Sequence, residues 1–308
     1  MRQFLRTAAF IATIIVVTSS QGKAPTRVLN DGNLIPTLGL GTYGLNDIPK
    51  IRQAVNWAVE SGYRHIDTAA LYGNEAEIGK GIADVIGKGL VTREELFITT
   101  KLWNDKHAKE DVVPALRDSL NKLGLEYVDL YLIHSPESTR PDGTPANIDI
   151  LETWQGMVEA RKLGLAKSIG VSNFNTEQLD KIIGNSPIVP AVNQVEIHPS
   201  NTQESIVADC HQRGIHVTAY SPLGFFVSRS GSGRPGVNDP KMLNIANKYG
   251  KSVTQVILRY LIDRDLIPIP KTTNKDRLEQ NINVFDFQLT SDEINTINSF
   301  NTNSSVFD

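Results

Sequence analysis

The sequence predicts a single (β/α)8 barrel, and two observations carry that prediction. Eight short apolar runs of strand type alternate with segments of helical period along the chain, and no break in composition separates them. Such alternation is typical of a parallel sheet covered by helices, and eight units are the number that closes a barrel. The chain has 308 residues, 40% of them hydrophobic, which is enough to bury one large core.

The elements follow one another in order after an N-terminal hairpin. Asp31-Gly32 lies between the two apolar runs of RVLNDGNLIPTLGL, which is a hairpin pattern. The strand candidates are TLGLGTY, YRHIDTA, LFITTKLW, VDLYLIHSP, AKSIGVSNF, AVNQVEIHP, HVTAYSPLG and LIPIPKTT. The helix candidates include IPKIRQAVNWAVES, EDVVPALRDSLNKLG, ILETWQGMVEARKLG and QESIVADCHQRG. Three of them run into Gly124, Gly164 and Gly214, as helices do at their C-caps.

The first twenty residues differ in kind from the rest. Two arginines precede the apolar stretch Ala8–Val17, and small polar residues follow it up to Ser20. This order is typical of a secretory signal peptide, and the stretch is shorter than the roughly 20 apolar residues that span a bilayer. We therefore expect a signal peptide over residues 1–20, one barrel domain over residues 21–308, secretion, and no stable membrane association of the mature protein. The alternatives are a buried first element and a cytoplasmic location.

Charge and cysteine content narrow the class of protein. The net charge is −3 and there is no basic run, so no nucleic-acid partner is expected. Cys210 is the only cysteine of the chain, so no disulfide can form within it; its helical spacing from Ile206 predicts a small buried side chain. Asn303-Ser304-Ser305 is a glycosylation sequon, but such triplets often arise by chance.

Four ionisable side chains lie at or just beyond the ends of three strand candidates. Asp67 and Tyr72 stand in YRHIDTAALYGNE, Lys101 in LFITTKLW and His134 in VDLYLIHSP. Each alone has an ordinary structural explanation, such as a half-buried aromatic ring or an ion pair. The carboxyl ends of barrel strands share one face, however, and barrel enzymes carry their catalytic groups there. The sequence therefore predicts one catalytic cluster.

These segments resemble the aldo-keto reductase family over about Leu34–Phe287, with its acid–base residues Asp, Tyr, Lys and His in the same order. The resemblance implies reduction of a small-molecule carbonyl, a monomer, and a hairpin that closes the barrel floor. Tyr72 would be the proton donor and His134, in neutral form, would orient the substrate. Because a phenol has an ordinary pKa of about 10, we expect the Lys101 ammonium, held by Asp67, to lower it.

Hydride transfer requires a nicotinamide, because no side chain supplies hydride. The chain has no GxGxxG after a strand, so a Rossmann site is not predicted. The resemblance instead implies NADPH/NADP+ extended across the barrel top, with Tyr220 stacked on its ring and with Lys271 and Arg277 at its 2′-phosphate. The implied cofactor contacts are Thr42, Ser172, Asn173, Gln194, Tyr220, Ser221, Leu223, Lys271, Thr272, Asn274, Arg277, Gln280 and Asn281.

The predicted substrate pocket departs from the family pattern. Tyr43 and Trp103 would form an aromatic wall, but aldehyde-reducing members often carry Trp where this chain has Tyr43 and Ser135. The loop after the fourth barrel strand (137–148) is short, and the chain stops soon after Asn301. We therefore expect an open pocket that suits a bulky ketone.

The glycine- and serine-rich segment 225–240 stands where the family has a loop that folds over the cofactor. By composition alone it is a flexible connection. Val227 replaces the acidic residue that many members use there as a cofactor clamp, so cofactor release is expected to be fast.

Three functions remain open at this point. The expected signal peptide and the expected open pocket together resemble those of arthropod 3-dehydroecdysone reductases, and this resemblance implies a 3-ketosteroid substrate. The alternative is a broad-specificity aldehyde reductase. A non-catalytic NADPH-binding relative is the third. A barrel hydrolase is not favoured, because no paired strand-end carboxylates and no metal-ligand cluster are visible.

Overall fold

The computed structural model describes residues 22–45, 47–228 and 236–307. The predicted signal peptide lies outside these residues. An antiparallel hairpin of β1 (Thr26–Val28) and β2 (Leu34–Pro36) comes first. Leu29 and Ile35 pack with apolar side chains from the barrel strands. The hairpin therefore covers the barrel floor, as the resemblance implied.

Eight parallel strands form the barrel and pair in chain order. They are β3 (Leu40–Gly41), β4 (His65–Asp67), β5 (Phe97–Leu102), β6 (Val128–Ile133), β7 (Ala166–Ser172), β8 (Val192–Glu196), β9 (His216–Tyr220) and β10 (Leu266–Pro268). The backbone N–H groups of Gly39 and Gly41 donate to the carbonyls of Pro268 and Pro270, each at 3.1 Å, which joins the first strand to the last. A Cβ at Gly41 would lie 2.5 Å from the Ile269 carbonyl oxygen, so closure needs glycine there. The predicted (β/α)8 barrel is confirmed.

Helices cover the outside of the strands, and a large apolar core lies between the two layers. They are α1 (Ile48–Glu60), α2 (Glu75–Gly87), α3 (Lys109–Leu123), α4 (Ile150–Lys162), α5 (Thr176–Asn185), α6 (Glu204–Gln212), α7 (Phe225–Ser228), α8 (Pro240–Tyr249), α9 (Val253–Asp263), α10 (Lys275–Ile282) and α11 (Ser291–Asn298). Gly124 caps α3 in the left-handed region, with φ of 66°. Cys210 lies buried in the core, as predicted.

The glycine- and serine-rich segment contains the short helix α7, and α8 begins at Pro240. Residues 229–235 and the side chain of Val227 lie outside the described residues, so the prediction of a missing clamp stays a prediction. Among the residues that are described, no helix is long and apolar enough to cross a membrane.

Candidate active site

The four predicted catalytic residues meet at the carboxyl end of the barrel. Asp67 ends β4, Tyr72 ends a 3-10 turn (Ala70–Tyr72), Lys101 lies in β5, and His134 directly follows β6. The ammonium of Lys101 donates to Asp67 Oδ1 at 2.5 Å and to Tyr72 Oη at 3.2 Å. The structure therefore brings Asp67, Lys101 and Tyr72 into one hydrogen-bonded cluster, as the sequence predicted.

The Lys101–Asp67 pair is almost completely excluded from solvent, with side-chain exposures of 0% and 2%. Burial favours a neutral lysine, but the Asp67 carboxylate and the Tyr72 hydroxyl outweigh it and raise the pKa of Lys101. The second carboxylate oxygen of Asp67 accepts from Gln194 Nε2 at 2.8 Å. The ammonium is thus held charged and in one place, which is what a group that supports a proton donor requires.

The expected lowering of the Tyr72 pKa is wrong as a net effect. Burial raises the pKa of Tyr72, and the Lys101 ammonium opposes that rise without reversing it. The phenol therefore keeps its proton throughout the neutral range. The Lys101 charge can stabilise a phenolate as a proton leaves Tyr72, but it does not ionise the resting residue.

His134 is neutral, as expected. Burial, and secondarily the Lys101 charge, lower the pKa of His134 to about 3. Its ring makes edge contacts with Tyr72, at 5.6 Å between centroids, and with Trp103, at 5.1 Å. A neutral imidazole can donate one hydrogen bond without bringing a positive charge into the site.

A cavity of about 360 Å³ opens beside these groups. The three predicted substrate contacts, Tyr43, Trp103 and Ser135, all line it. Tyr43 is 53% exposed and makes an edge contact with Tyr72 at 5.1 Å. Sequence reasoning missed other lining residues, namely Gly41, Leu71, Asn104, Pro222, Ile269 and Phe307.

Phe307 shows that the roof is more complete than the sequence suggested. Its ring lies 6.0 Å from the Tyr43 ring and 5.9 Å from the Tyr220 ring, and it lines the cavity. The residues beyond Asn301 therefore reach the pocket although the segment is short, and a site open enough for a bulky ketone stays a prediction. No local pattern in the sequence indicated this, because the contacts are made with distant strands.

Seven of the predicted cofactor contacts line the same cavity: Thr42, Ser172, Asn173, Gln194, Tyr220, Ser221 and Lys271. Tyr220 donates to the Asn173 side-chain oxygen at 2.9 Å, which fixes the edge of its ring. Asn173 and Ser221 have φ of 62° and 47°, so both strand ends turn sharply at the pocket. The side-chain amides and hydroxyls of this set can hydrogen-bond the carboxamide group of a nicotinamide, and the aromatic face of Tyr220 can stack on its ring.

The other predicted contacts lie beyond the cavity lining. Asn274 caps α10 by accepting from the Arg277 backbone N–H, and the Thr272 hydroxyl accepts from the Asn274 N–H. Arg277 and the cavity-lining Lys271 are both exposed, and neither pairs with a carboxylate in the part of the chain that the structure describes. Two unpaired cations at a helix N-terminus suit a phosphate.

The remaining three predicted contacts differ in exposure. Asn281 is buried in the same helix turn as Leu278, whose carbonyl accepts from the Tyr63 hydroxyl at 3.3 Å, whereas Gln280 is exposed. Leu223 packs against the apolar core. Their contacts with adenine and pyrophosphate stay predictions.

Comparison with known proteins decides the family. A family model described as the aldo/keto reductase family matches residues 37–302, which is most of the chain. The chain belongs to the aldo/keto reductase family. Its membership confirms the resemblance and the predicted enzyme class, an oxidoreductase that acts on carbonyl groups.

The sequence is similar to those of individual aldo/keto reductases over nearly the whole chain. The chain is 60% identical to aldo-keto reductase AKR2E4 of Bombyx mori over 293 residues, covering 93% of this chain and 95% of the relative. It is 43% identical to human aldo-keto reductase family 1 member A1 over 290 residues, covering 90% of this chain and 89% of the human protein.

Solved structures of the family show the same architecture. The crystal structure of Bombyx mori AKR2E4 in complex with NADP matches with a TM-score of 0.91 and covers 93% of this chain and 95% of that one. The crystal structure of AKR2E5 complexed with NADPH, at 44% identity, matches with a TM-score of 0.90 and covers 92% of this chain and 90% of that one.

Proposed function

We propose that this protein reduces a ketone or aldehyde to an alcohol, with NADPH as the hydride donor and Tyr72 as the proton donor. The observation that carries the proposal is the Tyr72 hydroxyl, which lines the cavity while the buried, charged Lys101 donates to it at 3.2 Å. The cofactor proposal is supported by Lys271 and Arg277, which pair with no carboxylate among the described residues, and by the relatives whose structures contain NADP or NADPH.

When bound, NADPH supplies a hydride to the carbonyl carbon. Tyr72 Oη gives its proton to the carbonyl oxygen as negative charge develops there, and the phenolate that remains is stabilised by Lys101. His134 donates a hydrogen bond to the same oxygen, and its neutrality leaves Tyr72 as the group that transfers the proton. Asp67 holds Lys101, and the Tyr43 and Trp103 rings hold apolar substrate surface away from water.

Within this reaction we propose a bulky ketone, such as a 3-ketosteroid, as the substrate. Ser135 leaves space beside His134 where family members often have Trp, and the identity to a silkworm relative supports the arthropod likeness. A broad-specificity aldehyde reductase is the alternative.

The kcat/KM for a 3-ketosteroid should exceed that for small aromatic aldehydes with the purified mature protein. The extra apolar surface of a polycyclic ketone gains about 25 cal/mol for each Å² it buries on Trp103 and Tyr43. The measurement is a panel of both substrate classes under one set of conditions. No turnover of the steroid, combined with rapid reduction of aldehydes, would exclude the steroid assignment.

We also propose that the protein is exported as a monomer and that the mature chain begins near Gln21. The basic and apolar order of residues 1–20 supports export, and the first strand among the described residues, β1 of the hairpin, begins at Thr26. N-terminal sequencing of native material is expected to start close to Gln21. An intact Met1 on protein from the cytosol would contradict export and support the alternative location.

A further inference from the structure

Glu196 is a buried carboxylate close to the active site that the proposed reaction does not use. It ends β8, its side chain is 5% exposed, and it does not line the cavity. Residues two apart along a strand point to the same face, so Glu196 and Gln194 both point inward. Gln194 reaches the catalytic cluster through Asp67, whereas Glu196 has different partners.

Both carboxylate oxygens of Glu196 accept hydrogen bonds from the segment 302–307. Ser305 Oγ donates to Oε2 at 2.8 Å, and the Val306 backbone N–H donates to Oε1 at 2.6 Å. His198 Nε2 lies 2.9 Å from Oε1, and the Ser200 N–H donates to His198 Nδ1 at 3.2 Å. The Ser200 bond leaves Nε2 as the protonated nitrogen, so His198 donates to Glu196 and fixes the orientation of the carboxylate.

The same segment ends at the pocket. Its start is tied to the barrel by Thr302 and Ser304, whose N–H groups both donate to the Ser200 carbonyl at 3.1 Å. The residue after Val306 is Phe307, whose ring contacts Tyr43 and Tyr220. Hydrogen bonds that an ionised carboxylate accepts are about twice as strong as those between neutral groups, so each Glu196 contact restrains this segment more than each contact with the Ser200 carbonyl does.

We propose that Glu196 is a positioning residue that fastens the segment 302–307 and thereby sets Phe307 as a wall of the substrate pocket. The inference rests on the proposed carbonyl reduction. Glu196 acts on substrate binding through Phe307 and takes no part in proton or hydride transfer. Large substrates that reach the wall depend on it more than small aldehydes that stop at Tyr72.

The test compares Glu196→Ala, Phe307→Ala and the double variant on a polycyclic ketone and a small aldehyde. Loss of the aromatic wall is expected to raise the KM for the ketone roughly tenfold and the KM for the aldehyde much less, with a smaller change in kcat than in KM for the ketone. If Glu196 acts only through Phe307, the double variant is no worse than Phe307→Ala alone. The proposal would be overturned if the increases in KM of the two single variants multiplied in the double variant. A fall in kcat for the aldehyde would also overturn it.

Hydrogen exchange provides a readout that does not depend on activity. The Val306 amide should exchange faster in Glu196→Ala than in the wild type, because its acceptor is lost. Ser305→Ala, which keeps the buried carboxylate and serves if Glu196→Ala does not fold, should show the same effect more weakly. Ser304→Ala is the matched control, since its hydroxyl does not contact Glu196. Unchanged exchange in both test variants contradicts the fastening role, whereas a wild type that reduces no carbonyl contradicts only the proposed function.

Discussion

Replacing Tyr72 by Phe is expected to lower the kcat for carbonyl reduction by roughly 10²–10⁴ and to leave NADPH affinity nearly unchanged. The substitution removes the hydroxyl that the buried Lys101 ammonium contacts at 3.2 Å and keeps the ring that packs against His134. Proton transfer is lost, while the cofactor contacts on the other side of the cavity are retained. Steady-state kinetics together with NADPH titration by fluorescence measure the two quantities separately.

Tyr43→Phe is the matched control for this experiment. Tyr43 lines the same cavity with its ring 5.1 Å from that of Tyr72, but Lys101 makes no hydrogen bond to it. Removal of the Tyr43 hydroxyl should therefore change kcat little. Near-native turnover in Tyr72→Phe, or an equal loss in both variants, would show that Tyr72 is not the proton donor.

Replacing both Lys271 and Arg277 by Ala is expected to weaken NADPH binding by roughly one to two decades and to affect NADH hardly at all. Both cations are exposed near the start of α10, and neither pairs with a carboxylate in the described residues. A phosphate that they bind makes charge-assisted hydrogen bonds, and NADH lacks that phosphate. Dissociation constants for the two cofactors, measured at one salt concentration, check the expectation.

Lys275→Ala provides the control for the cofactor experiment, since Lys275 lies in the first turn of the same helix and faces Glu279 at 3.9 Å. The Lys275→Ala variant should still bind NADPH more tightly than NADH. Equal losses of NADPH and NADH affinity in the double variant would show that Lys271 and Arg277 do not recognise the 2′-phosphate.

The fold could be predicted from the sequence because its determinants are local. Each barrel strand is a short apolar run, and the hairpin turn is set by Asp31-Gly32. The catalytic cluster was predictable for a related reason. Strand ends converge in a barrel, so positions such as Lys101 and His134 become neighbours once the strands are assigned.

The features that escaped prediction depend on contacts between distant parts of the chain. Ser305 and Val306 reach Glu196 across 109 and 110 residues, and the next residue along the chain is Phe307, which lines the pocket. The pKa of Tyr72 was predicted in the wrong direction because the charge of Lys101 is visible in the sequence, whereas the extent of burial is not.

Consumption of NADPH by the purified wild-type protein tests the central claim most directly. The protein is mixed with NADPH and a reactive carbonyl compound, and the loss of NADPH absorbance is followed together with the appearance of the alcohol. The arrangement of Tyr72, Lys101 and His134 predicts catalytic turnover, with one alcohol formed for each NADPH consumed. Tight NADPH binding without turnover across aldehydes and ketones would contradict it and identify a non-catalytic, cofactor-binding member of the family.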